Sequence, residues 1–322
     1  MPVTSTHTTS RRLPSALSSR NGWADLLELK RTAYPHVHQI EPTNHCPYSC
    51  VMCPRSRWMT RELGFMEMGL YRAVVDEIAT FDEAVRAKEL ELFHFGESLL
   101  HPQIFDMVRY AAGKRLAVVL SVNAPELSPA KAEEILASGP ARLIVSLDGY
   151  DAASYRQIRG DAADFATAMA NLHHLAELVR KNAPTTRVCV RMIRLKQNET
   201  QLEPFRAAWE GSGIDVEIRP FFPWTEKELA ELGEVQKYPP YMPCPFPWQY
   251  LVVQWDGTVV PCCRDYNGVN AVGNVREETL RQIWNGERYA AFRRQHRTGE
   301  YGTNGFCRDC MEIFYTDGDA PS

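Results

Sequence analysis

The sequence predicts an α/β fold, a partial (β/α)6 barrel followed by a small C-terminal α+β module. Three observations predict it. Short apolar runs alternate with stretches of helical period, the pattern of parallel strands covered by helices. The alternation runs through six units rather than eight, which describes an open barrel. Beyond Arg219 it stops in a proline-punctuated linker, and a strand–turn–strand segment with its own cysteines follows.

Taken in order, a short amphipathic helix over Trp23–Arg31 precedes the first strand, Val37–Glu41. Met68–Phe81 has helical period and Glu89–Phe95 is the second strand. His101–Lys114 is helical, and Leu116–Val122 is the third strand. Ser128–Ala137 is a helix opened by Ser128-Pro129, an N-cap residue with proline in the first turn. Arg142–Leu147 is the fourth strand, Ala162–Lys181 a long helix and Arg187–Ile193 the fifth strand. Gln201–Trp209 is helical and Ile214–Arg219 the sixth strand. Pro220, Pro223, Pro239, Pro240, Pro243, Pro245 and Pro247 then break the pattern. From Gln249 the chain reads as strand, turn at Asp256-Gly257, and strand. The expected domains are therefore a tail and short helix over 1–36, the barrel over 37–232 and the module over 233–322. The first twenty residues are rich in Ser, Thr and Arg and hold no acid, a transit-peptide-like composition that we read as a disordered tail.

A chain of 322 residues, 44% hydrophobic and 24% charged, can bury a substantial core. Its net charge of −4 gives no sign of a nucleic-acid or anionic-membrane binder. No run of eighteen apolar residues occurs, so no transmembrane helix is expected. Nine cysteines without a secretory signal, and clustered, point to reduced thiolates on a metal in a cytoplasmic protein.

Cys46, Cys50 and Cys53 form C-x3-C-x2-C just past the first strand. In a parallel barrel that end of the strands is where chemistry is done. A structural zinc wants four protein ligands, and a 4Fe–4S cluster has four irons to ligate. Three thiolates on such a cluster leave one iron open to a small molecule. The motif in this place resembles the radical S-adenosylmethionine (SAM) superfamily. The resemblance implies that the open iron chelates the amino and carboxylate groups of SAM, and that a 5′-deoxyadenosyl radical then takes hydrogen from substrate. Met52 stands where the family usually carries an aromatic near the adenine. In HFGESLLHP, Gly96-Glu97-Ser98 resembles the family's G-E-P-type contact with the SAM amino group, with Ser in place of Pro.

Strand alternation adds a lumen. In RVCVRMI, Val188, Val190 and Met192 should face the helices, which turns Arg187, Cys189 and Arg191 inward. In IDVEIRP, Ile214, Val216 and Ile218 should face the helices, which turns Asp215, Glu217 and Arg219 inward. Ser146 and Asp148 share a side at the end of the fourth strand, and Asn123 ends the third region. Groups of both charge signs suit a hydroxylated, charged substrate; alternatively they pair with each other, Glu217 with Arg191 as a structural bridge. By resemblance, Asn123 and Ser146 contact SAM, Asp148 its ribose, and Arg191 a carboxylate of SAM or substrate.

Cys244, Cys262, Cys307 and Cys310 can complete a four-thiolate site. GNVREETLRQIWNG resembles the helix entry of the twitch/SPASM auxiliary-cluster domains of radical SAM enzymes. The cysteine gaps of 18, 45 and 3 positions resemble those of 2-deoxy-scyllo-inosamine dehydrogenase-type enzymes. One auxiliary 4Fe–4S cluster fits four ligands, and so does a structural zinc. Cys263 is a bystander or the ligand in place of Cys262. Cys189 is a small buried hydrophobe or a thiol that returns hydrogen to a substrate radical.

The expected protein is thus a partial (β/α)6 radical SAM barrel with a small iron–sulfur domain. It would use two 4Fe–4S clusters, SAM and a reductant such as flavodoxin or ferredoxin. The substrate would be a small carbohydrate-like metabolite, and the reaction oxidation of a secondary alcohol in natural-product biosynthesis. Epimerisation through Cys189, decarboxylation of a sugar acid held by Arg191 or Arg219, and peptide modification are outcomes of the same class. A non-catalytic iron–sulfur or zinc protein is the reading from a different class.

Overall fold

The computed structural model describes residues 19–224, 243–302, 305–308 and 310. The tail over 1–18 and the boundary drawn between 232 and 233 lie outside the described residues. Helix α1 (Arg20–Lys30) leads into β1 (His36–Ile40), α2 (Met68–Ile78) and the short α3 (Glu83–Arg86). Then come β2 (Leu90–Glu91), α4 (Ile104–Gly113), β3 (Val118–Asn123), α5 (Pro129–Ser138) and β4 (Arg142–Ser146). After α6 (Ala152–Arg159) and α7 (Phe165–Asn182) follow β5 (Arg187–Arg194), α8 (Leu202–Trp209) and β6 (Asp215–Pro220). Strands β1 to β6 lie side by side in chain order, all parallel. This is the expected partial barrel.

The alternation predicted for β5 holds for its middle, but Arg187, expected inward, is exposed at the start of the strand and pairs with the equally exposed Asp215 of β6. Val188, Val190 and Met192 join the buried core with Leu143 and Val145 of β4 and Leu172 and Leu175 of α7. Arg191 and Cys189 lie on the other face, where both meet Glu217 of β6. The predicted N-cap is also present: Ser128 accepts from Lys131 N, with Pro129 in the first turn.

Two differences have physical causes. The second strand is far shorter than Glu89–Phe95. The Leu92 N–H still donates to Val119, but the Leu92 carbonyl is taken by Ser98 Oγ. Beyond it the backbone turns away to pack on the cysteine loop. Helix α6 was not expected, because only two of its buried residues, Tyr155 and Ile158, are apolar; Ser154 and Arg159 are the others. Its start is set by Asp151, whose Oδ1 accepts from Ala153 N and Ser154 N.

The C-terminal hairpin joins the barrel sheet. Strand β7 (Tyr250–Val253) pairs parallel to β1, and β8 (Thr258–Val260) and β9 (Gly273–Asn274) continue antiparallel from it. The turn is at Asp256-Gly257 as predicted, with Gly257 at φ 91°. The helix Leu280–Asn285 carries a Thr279/Gln282 capping box, and its Leu280 and Arg281 N–H groups donate to Glu77 of α2. Among the described residues no helix is long and apolar enough to cross a membrane.

One carboxylate joins three parts of this structure. Glu41, fully buried just past β1, accepts two hydrogen bonds of 2.9 Å from Arg61 and one of 3.3 Å from Trp255 N. His94 Nδ1 lies 3.4 Å from it, and His94 Nε2 donates to the Cys263 carbonyl at 2.7 Å. Burial alone would push the Glu41 carboxyl up, but His94 and Arg61 outweigh it and hold it at about 2. A depressed carboxyl contributes stability that is fully present above its unfolded value of about 4.3. That contribution is lost as pH falls from there toward about 2. Glu41→Gln leaves Arg61 buried without its anion and should cost about 3–5 kcal/mol in urea unfolding. It should also flatten the acid dependence in that window. A loss below about 1 kcal/mol, on the scale of an exposed pair, would show that the joint is dispensable.

Candidate functional site

The Cys46–Cys53 loop leaves the C-terminal end of β1 and is held from several sides. Asn44 donates to Glu62 O and accepts from Gly64 N. Arg55 donates to Asn44 O at 2.8 Å and to Cys46 O at 2.6 Å. From α6, the Arg159 and Ile158 carbonyls accept Ser49 N and Val51 N at 3.2 and 2.9 Å. Gly160 ends that helix at φ 89°, and a Cβ there would lie 2.1 Å from Ser49 Oγ. From the β2 side, Glu97 N donates to His45 O, and a Cβ on Gly96 would lie 2.0 Å from the Thr43 carbonyl oxygen. Gly96 is therefore demanded by close backbone packing against the loop.

The chemistry of the three thiols fits an iron cluster. Burial pushes Cys46 up to about 12 and Cys53 up to about 11. Burial also raises Cys50, opposed by Arg159, whose Nη1 is 3.8 Å from its sulfur. Such thiols stay protonated until a cation takes their charge, which is what metal coordination provides. A cubane cluster spreads its thiolates over separate irons, one thiolate to each.

Beneath the loop runs a buried polar chain. Glu97, 1% exposed, accepts from Leu99 N at 2.9 Å, Asn123 N at 2.8 Å and Asn123 Nδ2 at 2.5 Å. Burial still pushes its carboxyl up to about 7. Asn123 Oδ1 in turn accepts from Arg159. Arg159 Nη2 is 2.5 Å from Asp148 Oδ2, and Asp148 Oδ1 accepts from Ile193 N at 2.7 Å. Burial disfavours the Arg159 charge, yet Asp148 first, then Cys50 and other neighbours, hold it protonated well above its ordinary range.

The structure thus brings Gly96, Glu97, Asn123 and Asp148 together under the trio. Arg159, which links the last two, was missed in the sequence. The signal was present: Asp151 and Gly160 bracket α6, and Arg159 lies four residues after Tyr155, on the same buried face. The Asp148 carboxylate is engaged by Arg159 and Ile193, a use the ribose reading did not include. Ser146 lies beside Asn123 and Arg191 by strand register. Met52 packs on Ile158, Leu195 and Phe221, and its carbonyl accepts from Trp224 Nε1 at 3.0 Å.

On the lumen side one carboxylate gathers the predicted residues. Arg191 donates to Glu217 at 3.0 and 2.8 Å, the pairing expected of a structural bridge. Cys189 Sγ is 3.5 Å from the same carboxylate, and burial, then Glu217, push the thiol up to about 12. Arg219 also pairs with Glu217, but its side chain is 44% exposed and sits at the rim rather than within the lumen. Burial notwithstanding, Arg191 and Arg219 hold the Glu217 carboxyl below its usual range.

Cys244, Cys262, Cys307 and Cys310 line one pocket, with Phe246, Pro247, Pro261, Phe292, His296 and Phe306. Cys262 is the residue of the Cys262-Cys263 pair that faces it. The Cys263 sulfur is 3.5 Å from Tyr250 Oη. A hydrogen bond with Cys263, burial, and the neighbouring Cys244 and Cys310 push the Cys262 thiol well up. Four sulfurs in an apolar pocket are a donor set that suits an iron–sulfur cluster. A second cavity, of about 330 Å³, lies between the cysteine loop and this module, lined by Trp58, Trp224, Arg264, Tyr266, Gly305, Phe306 and Cys310.

Gly96→Ala should displace the cysteine loop and leave the distant four-cysteine pocket intact. With both sites filled the chain would hold about eight irons; the variant should keep about half. Full iron content in Gly96→Ala would show that the loop can yield.

Comparison with known proteins agrees with this arrangement. The sequence profile of the Radical SAM superfamily matches residues 40–205. That of the SPASM iron–sulfur cluster-binding domain matches residues 244–311. The tungsten-containing aldehyde ferredoxin oxidoreductase cofactor-modifying protein of Pyrococcus furiosus is 26% identical over 84% of this chain and 86% of its own length. The S-adenosyl-L-methionine-dependent 2-deoxy-scyllo-inosamine dehydrogenase of Niallia circulans is 24% identical over 85% of this chain and 92% of its own. The solved structure of BtrN in complex with AdoMet and 2-DOIA has the same fold, with a TM-score of 0.54 and 19% identity over 85% of this chain and 92% of that one. The radical SAM domain binds a 4Fe–4S cluster and SAM, and the SPASM domain binds auxiliary iron–sulfur clusters. A loop of three thiols, buried or half-buried, at the end of the first strand, four more sulfurs in a separate pocket and these profile matches lead to one conclusion: the chain belongs to the radical SAM superfamily and carries a SPASM domain.

Proposed function

We propose that this enzyme oxidises a secondary alcohol on a small, hydroxylated, charged metabolite of the aminocyclitol, amino-sugar or sugar-nucleoside kind, in natural-product biosynthesis in the cytoplasm. The observation that carries the reading is the charged lumen cluster of Glu217, Arg191, Arg219 and Cys189 beside the buried polar chain under the trio. Although these charges pair with one another, an apolar substrate would strip water from them without returning a hydrogen bond, so the lumen favours a polar one. The named activity of the Niallia relative points the same way.

In this reading Cys46, Cys50 and Cys53 hold the SAM-binding cluster, and Cys244, Cys262, Cys307 and Cys310 the auxiliary one. Bound there with SAM, the first cluster supplies the 5′-deoxyadenosyl radical that removes hydrogen from carbon. Glu97 accepts from the SAM amino group, Asn123 and Ser146 line the cofactor, and Gly96 lets the strand end pack against the cysteine loop. Asp148 acts through Arg159, which it keeps charged and in place beside Cys50. Glu217, kept ionised by its two arginines, accepts the substrate's hydroxyl proton or binds its ammonium. Flavodoxin or ferredoxin serves as reductant. The domain boundaries proposed are 37–232 for the barrel and 233–322 for the auxiliary domain. A second reading, modification of an enzyme cofactor, is favoured by the name of the Pyrococcus relative, which matches at comparable identity and coverage.

Anaerobic incubation with SAM and candidate aminocyclitols, followed by mass spectrometry, tests the reaction. Oxidation removes two mass units. Unchanged mass in ordinary water, with one mass unit gained in heavy water, would instead establish epimerisation. Cys189→Ala should retain turnover; a variant that still makes deoxyadenosine but no product would make Cys189 the returning donor. Glu97→Gln should weaken SAM binding by about 1.5–3 kcal/mol, roughly ten- to hundred-fold, with iron content unchanged. Because burial holds the Glu97 carboxyl at about 7, SAM affinity should rise with pH through that value in wild type and rise less steeply in Glu97→Gln. Equal affinities for the two proteins would remove Glu97 from the site.

A further inference from the structure

We propose that His296 donates a hydrogen bond to a sulfur of the auxiliary cluster and so raises that cluster's reduction potential. The inference rests on the reading that Cys244, Cys262, Cys307 and Cys310 hold the cluster. His296 sits in the last turn of the helix Glu287–Thr298, one turn beyond Phe292, and both side chains line the four-cysteine pocket. The residue is 3% exposed, and among the described residues neither Nδ1 nor Nε2 has a hydrogen-bond partner. Its position is nevertheless well defined. The ring packs against Phe292 at 4.7 Å and Tyr301 at 5.1 Å, and its backbone carbonyl accepts from Arg20 at 3.2 Å.

An imidazole always carries at least one N–H donor, and buried donors are rarely left unmet. What the pocket offers beside this ring is four sulfurs and apolar walls of phenylalanine and proline. Sulfur is therefore the acceptor for which the site is built. Four thiolates already complete the coordination of four irons, so the imidazole is not required as a ligand. A donor facing a cluster sulfur stabilises the more negative, reduced form. Hydrogen bonds to sulfur are among the factors that set cluster potentials. His296 is thus a positioning residue for electrons rather than for atoms, and it deepens the oxidative reading because a higher potential makes an acceptor more effective.

The test is a redox titration of the reconstituted full chain followed by electron paramagnetic resonance. The auxiliary signal is identified as the one that survives when Cys46, Cys50 and Cys53 are replaced by Ala. His296→Phe keeps a ring between Phe292 and Tyr301 but removes the donor; it should lower the auxiliary potential without loss of iron. His296→Gln restores an N–H and should bring the potential back toward wild type. Pulsed resonance on protein labelled with 15N-histidine should show a weak nitrogen coupling to the reduced auxiliary cluster that disappears in His296→Phe. An unchanged potential at full iron content overturns the proposal. A strong coupling typical of a bound nitrogen, or loss of the cluster in both variants, would make His296 a ligand and also overturn it. If the trio variant with His296 intact retains no iron, the four-cysteine reading itself fails and takes this proposal with it.

Discussion

The ion pair between Arg159 and Asp148 organises the chemistry of this molecule. At 2.5 Å and almost fully buried, it lies where α6 ends against the cysteine loop. A buried pair of this kind recovers little net stability, because both charges give up hydration. Its value is in conformation. The Arg159 backbone carbonyl holds Ser49, while its side chain reaches Cys50 and Asn123, and Asn123 holds Glu97. The residues proposed to hold cluster and cofactor are therefore positioned by one guanidinium that comes from a helix and meets the ends of β3 and β4 through Asn123 and Asp148. Neutralising Asp148 would leave that guanidinium buried without its anion and loosen all of them together.

A second buried carboxylate does for the two halves of the chain what Asp148 does for the site. Glu41 takes Arg61 from the segment after the cysteines, sits beside His94 from the β2 end and accepts from Trp255 of the hairpin. His94 continues to the Cys263 carbonyl, next to Cys262 of the four-cysteine pocket. With β7 paired to β1, the C-terminal module is an extension of the barrel sheet rather than an appendage. Rigid attachment of this sort would keep the distance between two redox centres constant, which matters when electrons are to pass near a reactive intermediate.

Much of this was legible in the residues. Periodicity alone placed the parallel strands and most of the helices, because amphipathic faces must be buried whatever their neighbours are. The C-x3-C-x2-C spacing and the Gly96-Glu97 pair marked the first site, and the inward set of Cys189, Arg191 and Glu217 followed from alternation on one strand pair. Less legible was anything decided by partners far apart in the chain. The Glu89–Phe95 run has strand composition, yet most of it is drawn out of the ladder by contacts to the cysteine loop. Helix α6 has a half-polar buried face, which hides it, and Arg159 with it, from hydrophobic periodicity.

The sequence by itself therefore determined the fold class, the family resemblance, the two groups of cysteines and the charged face of the lumen, since each depends on local spacing or on strand period. The tertiary structure alone decided which of Cys262 and Cys263 faces the other three sulfurs, that Asp148 and Arg191 are already engaged by protein partners, and that His296 looks into the auxiliary pocket. These are matters of pairing across tens or hundreds of residues. A side chain's hydrogen-bond partners are chosen by what the folded chain brings within reach, and no local pattern records that choice.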